Sequence, residues 1–74
     1  MPMPVILLIE DDRDLRAMLK AALVRKDFTV IEAENGKEAL AQFKPGITDL
    51  VITDLIMPEG DGLKVIMKIR EKKP

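Results

Sequence analysis

Apolar positions along this chain alternate between short unbroken runs and helical stripes. Val5-Ile6-Leu7-Leu8-Ile9 is an unbroken run of the kind that forms a strand buried on both faces. From near Asp12 to about Lys26 the period changes. Leu15, Met18, Leu19, Ala22 and Leu23 then fall at i, i+3, i+4, i+7 and i+8, which predicts a helix presenting that stripe to the core. Met18 reads as packing within the stripe rather than as a ligand contact. Phe28 to Ala33 predicts a second, shorter strand. Asn35-Gly36-Lys37-Glu38 opens a second helix, with Asn35 as cap and Glu38 as its capping-box partner. Ala39, Leu40 and Phe43 give that helix its buried face, and Pro45-Gly46 stops it. A third strand runs from Asp49 or Leu50 to Thr53. After Met57-Pro58, the segment Glu59-Gly60-Asp61-Gly62 reads as a turn leading into a last helix that ends near Lys72. Val65, Ile66, Met67 and Ile69 make that helix apolar over a wide arc, and Arg70-Glu71-Lys72-Lys73 is its solvated, basic end.

Strands alternating with helices predict an α/β fold, βαβαβα, with a parallel sheet joined by right-handed crossovers. The usual solution places the first strand between the other two, in the order 2-1-3. Ligands of such sheets bind beyond the carboxyl ends of the strands, where the chain reverses direction across the sheet. Glu10-Asp11-Asp12 follows the first strand directly, and Asp54 follows the third. If these strands are neighbours, like charges converge at one sheet edge. A hard divalent cation relieves that repulsion, since Mg²⁺ takes oxygen ligands and often uses only one or two protein carboxylates.

Each feature has an ordinary structural reading as well. Acids in a first helical turn are favoured by the helix dipole alone, by about 0.3–1 kcal/mol each, and Asp12 is read as an N-cap. Glu10 and Asp11 follow the strand too closely for that role and have a mate in Asp54. Asn35-Gly36 and Asp61-Gly62 are read as turn and cap chemistry, and Met57-Pro58 as shaping its loop.

Composition narrows the function classes. At 74 residues the chain is one small domain, and its 47% hydrophobic content with only 3% aromatics requires an aliphatic core. Twelve basic against thirteen acidic residues give a net charge of -1, and no basic block or aromatic ladder suggests nucleic-acid binding. Cysteine and histidine are both absent, which excludes disulfides, thiol catalysis, a Ser-His-Asp triad and histidine-ligated metals. The start lacks a basic n-region and its apolar run is too short to span a membrane, so a soluble, cytoplasmic protein is expected.

Three segments together resemble the receiver domain of two-component response regulators, a flavodoxin-like phosphoacceptor module. They are the Val-Ile-Leu-Leu-Ile-Glu-Asp-Asp opening, Ala33-Glu34-Asn35-Gly36-Lys37-Glu38-Ala39-Leu40, and Asp49 to Pro58 with Asp61-Gly62 following. The resemblance implies that Asp54 accepts a phosphoryl group from a sensor histidine kinase. It implies Mg²⁺ held by Asp11, by its neighbour Glu10, by Asp54 and by the backbone carbonyl of Ile56. A complete receiver continues through two further strands and helices, bringing a Ser or Thr and then a Lys to the phosphoryl group. No residue here matches either. The resemblance therefore implies a single receiver domain, residues 1–74, truncated after its third helix and impaired in phosphoryl transfer. Such a domain is a substrate and switch more than an enzyme, although receivers catalyse their own phosphorylation.

Two rivals follow. In the order 2-1-3 the third strand is an exposed apolar edge, which invites pairing with a second copy across Leu50 to Leu55. That reading makes the chain a self-associating half-domain interaction module without phosphoryl chemistry. The other rival, a fragment of a Mg²⁺-dependent phosphatase with an aspartate nucleophile, expects a second aspartate two residues on, where this chain has Ile56.

Overall fold

A computed structural model describes residues 3–54 and 61–72. The elements are β1 (Val5–Ile9), α1 (Arg13–Arg25), β2 (Thr29–Ala33), α2 (Gly36–Gln42), β3 (Leu50–Thr53) and α3 (Asp61–Lys72). The three strands form one parallel sheet in the order β2-β1-β3, with Ile9 level with Ala33 on one side and Thr53 on the other. The sheet class and strand order agree with the reading from sequence. Central β1 carries the unbroken run because it is covered on both faces, and Ile6 through Ile9 are each 1% exposed.

Successive strand residues point to opposite faces. Leu7 and Ile9 join Ala33, Ala39, Phe43, Val65 and Ile69 in the main core, so α2 and α3 share one face of the sheet. Ile6 and Leu8 face the other way, where α1 packs on β1 and β2. Among the described residues no helix is long and apolar enough to cross a membrane.

Local chemistry sets the boundaries. The Asp12 side chain accepts the Leu15 N–H at 3.0 Å, and Asn35 accepts the Glu38 N–H at 2.8 Å, so both act as N-caps. Helix α1 ends in a Schellman arrangement: the Asp27 N–H donates to the Val24 carbonyl and the Phe28 N–H to that of Leu23. Asp27 holds the left-handed position of that motif at φ 66°. This cap takes up Phe28, so β2 starts at Thr29 rather than at Phe28. Helix α2 stops at Gln42 because Phe43 turns extended (ψ 127°), ahead of Pro45 and of Gly46 at φ 82°.

Two expectations are corrected. Helix α1 has no fully buried residue: Leu19 and Leu23 are half-buried, whereas Leu15, Met18 and Ala22 are exposed, Met18 at 63%. The helix turns about 100° per residue, and Arg16 and Lys20 occupy the part of the sheet-facing arc above Glu32 of β2. Three of the five stripe residues are thereby left in solvent rather than against the β1–β2 pair. Asp61 and Gly62 are the first residues of α3 rather than its preceding turn. The expectations for Ile56, Met57-Pro58 and Glu59-Gly60 lie outside the described residues.

Candidate functional site

Parallel strands end side by side, so whatever follows them in sequence meets above one edge of the sheet. Carboxylate oxygens of Glu10, Asp11 and Asp54 lie within 4.8 Å of one another there. The structure thus brings together residues 44 positions apart in the chain, reckoned from Glu10 to Asp54. Asp12 stands apart from them as the helix cap.

Glu10 is the anchored member. It is only 5% exposed, and three bonds fix it. Its N–H donates to the Ala33 carbonyl at 3.0 Å, extending the β1–β2 ladder by one residue. Its own carbonyl accepts from Nη1 of Arg16 at 2.8 Å. Its carboxylate Oε2 accepts the Asp12 N–H at 2.9 Å. That last bond favours the ionised carboxylate and holds the Glu10 pKa down. Burial, side-chain hydrogen bonding with Asp11, and the negative charges of Asp11 and Asp54 together outweigh it and leave the pKa raised. A buried, hydrogen-bonded acid beside two more carboxylates concentrates negative charge at these strand ends. Asp11 and Asp54 are exposed to solvent.

The donor set fits Mg²⁺. All three candidates are hard carboxylate oxygens, and oxygens on opposite sides of an octahedral Mg²⁺ stand about 4.2 Å apart, a span that fits inside the 4.8 Å limit of the cluster. Waters complete such a shell readily where only a few protein oxygens are offered. Ile56, whose backbone carbonyl was the remaining expected ligand, lies outside the described residues.

Arg16 was passed over in sequence. Its guanidinium reaches the Glu10 carbonyl through Nη1 and Glu32 Oε1 through Nε at 3.4 Å, with the side chain 16% exposed. Lys20 holds the other Glu32 oxygen at 3.1 Å. The available signal was positional: Arg16 follows the Asp12 cap by one helical turn, which returns its side chain toward the end of β1.

The chain matches the response regulator receiver domain over residues 6–74. It is 43% identical to transcriptional regulatory protein ResD of Bacillus subtilis (strain 168) over 68 residues, covering 92% of this chain and 28% of that protein. Chemotaxis protein CheY of the same organism is 40% identical over 67 residues, which cover 89% of this chain and 56% of CheY. The chain thus spans between about a quarter and a little over half of these relatives. Among solved structures, response regulator protein TrrA from Thermotoga maritima in complex with Mg²⁺-BeF superposes with a TM-score of 0.86 at 44% identity, covering 96% of this chain and 62% of that one. The complex of histidine kinase ThkA with response regulator protein TrrA matches with a TM-score of 0.85 and 44% identity, over 96% of this chain and 61% of that one. With nearly its whole length matched, the chain belongs to the response regulator receiver domain family.

Proposed function

We propose that this chain is the acidic, phosphoacceptor-bearing portion of a two-component receiver, taking a phosphoryl group on Asp54 from a sensor histidine kinase with Mg²⁺ held by Glu10, Asp11 and Asp54. The observation that carries this reading is the meeting of those three carboxylates at adjoining strand ends. The Mg²⁺-BeF complex and the kinase complex of TrrA support it by kinship. An Asp54 oxygen bonds to phosphorus as the donor's P–N bond breaks, and the released electron pair stays on the donor imidazole, which then takes up a proton. Bound Mg²⁺ would offset negative charge on both reactants. Glu10 stays fixed by its three hydrogen bonds while exposed Asp54 meets the donor. The acyl phosphate formed adds charge and acceptor oxygens, which can bias a surface between two arrangements.

Incubating the chain with acetyl phosphate and Mg²⁺ tests the proposal by mass spectrometry. One added phosphoryl group is expected on the wild type, and none on Asp54→Asn or in the presence of a chelator. Equal labelling of Asp54→Asn would sink it.

A second reading, self-association through the outer edge of β3, is favoured by Leu50, which is 53% exposed on a strand with a neighbour on one side only among the described residues. Sedimentation of a compact monomer at high concentration, unchanged by Leu50→Lys, would dismiss it.

A further inference from the structure

One side chain bonded to the β1–α1 junction has a position that no metal-ligand role accounts for. Arg16 is largely buried, at 16% side-chain exposure, and its guanidinium divides between two partners of different kinds. Nη1 donates to the backbone carbonyl of Glu10 at 2.8 Å, and Nε meets Glu32 Oε1 at 3.4 Å. The carbonyl belongs to the peptide that joins Glu10 to Asp11, so whatever grips it fixes the direction in which both carboxylates leave the backbone. Glu32 lies on β2, level with Leu8 of β1, and is therefore part of the rigid sheet. Arg16 thus ties the β1–α1 junction to the β2 strand. Lysine has one nitrogen and cannot make both contacts in the guanidinium's fixed fork.

We infer that Arg16 is a positioning residue for the acidic cluster, orienting the Glu10–Asp11 peptide so that both carboxylates face the cation that Asp54 shares. The inference rests on the Mg²⁺ reading of the cluster. Its sign is opposite to that of simple electrostatics. A positive charge near a cation site repels the cation, so deleting Arg16 as a mere charge would tighten Mg²⁺ binding. Deleting it as a clamp weakens binding, as loss of an outer partner of a metal ligand does, by about ten-fold.

Mg²⁺ titration by calorimetry of the 74-residue chain decides the matter, with the wild type beside Arg16→Met, Arg16→Lys and Glu32→Gln. The expected result is about ten-fold weaker binding for Arg16→Met and a smaller loss for Arg16→Lys and Glu32→Gln. Arg16→Lys keeps the charge and most of the packing, so it reports even where Arg16→Met unfolds. Amide exchange supplies a readout without metal: the Asp12 N–H, bonded to Glu10 Oε2, exchanges faster in Arg16→Lys while amides in the middle of β1 do not. Wild-type affinity, or tighter binding, in Arg16→Met or Arg16→Lys would overturn the inference while leaving the metal site standing. A wild type that fails to bind Mg²⁺ overturns the metal reading and this inference with it.

Discussion

Asp11→Asn probes the repulsion within the acidic cluster, and the sign of its effect separates two opposed contributions. At the outer limit of 4.8 Å, two unit charges repel by about 0.9 kcal/mol in water and by about 3.5 kcal/mol at an effective dielectric near 20. Asp11 and Asp54 are exposed, so solvent screening keeps their pair at or below the smaller figure. Glu10 is buried and its pair with Asp11 lies somewhat above it. Neutralising Asp11 removes both pairs, a relief of about 2 kcal/mol. Against this, Asp11 sits beside the N-terminus of α1, where a negative charge is favoured by about 0.3–1 kcal/mol. Repulsion wins, and the metal-free variant is more stable than the wild type by about 1 kcal/mol. Urea unfolding near neutral pH in chelator, at about 10 mM ionic strength where the Debye length is about 30 Å, reads this as a higher midpoint with unchanged slope. Mg²⁺ at ten times its dissociation constant then adds about 1.4 kcal/mol to the wild type and much less to Asp11→Asn, bringing the wild type level or ahead. A metal-free Asp11→Asn that is less stable than the wild type would refute the reasoning. Equal stabilisation of both proteins by Mg²⁺ would do the same.

The raised pKa of Glu10 means that the native state keeps a proton the unfolded chain has already released. Metal-free stability therefore falls as pH rises from the ordinary carboxylate range through the raised value, and Glu10→Gln flattens that limb in a pH series of urea melts. Phe43, buried between sheet and helices, leaves a cavity when cut back. Phe43→Ala costs about 3–5 kcal/mol, a large share of the roughly 4–11 kcal/mol available to a domain of this size, and thermal melts followed by circular dichroism should show a markedly lower midpoint. Asp27 carries a left-handed φ of 66°. Asp27→Gly raises the thermal midpoint slightly, whereas β-branched Asp27→Val lowers stability by about 1–2 kcal/mol.

The sheet was legible because only a central strand tolerates five consecutive apolar residues, and β1 is that strand. The acidic cluster was legible for a related reason: parallel strands discharge their following residues on one side, so Glu10-Asp11 and Asp54 had to meet once β1 and β3 were neighbours. The caps at Asp12 and Asn35 are local and follow from residue type. What one-dimensional periodicity does not contain is the lateral position of a helix over its sheet. The β1–α1–β2 crossover lays α1 above the β1–β2 pair, and nothing in the spacing of Leu15, Met18 and Ala22 reveals that they fall beyond it. Register places Leu50 level with Ile6, on the face that α1 covers, yet Leu50 stays 53% exposed because the helix does not reach over β3. Arg16 was hidden by the same geometry. A basic residue one turn into an amphipathic helix reads as solvated until the helix is seen packed chiefly on β2, where Glu32 and the end of β1 come within its reach. The exposure of Met18 and the burial of Arg16 are thus two results of one placement: connectivity carries α1 toward β2, leaving three of the five stripe residues exposed and setting the Arg16 guanidinium on the Glu10 carbonyl.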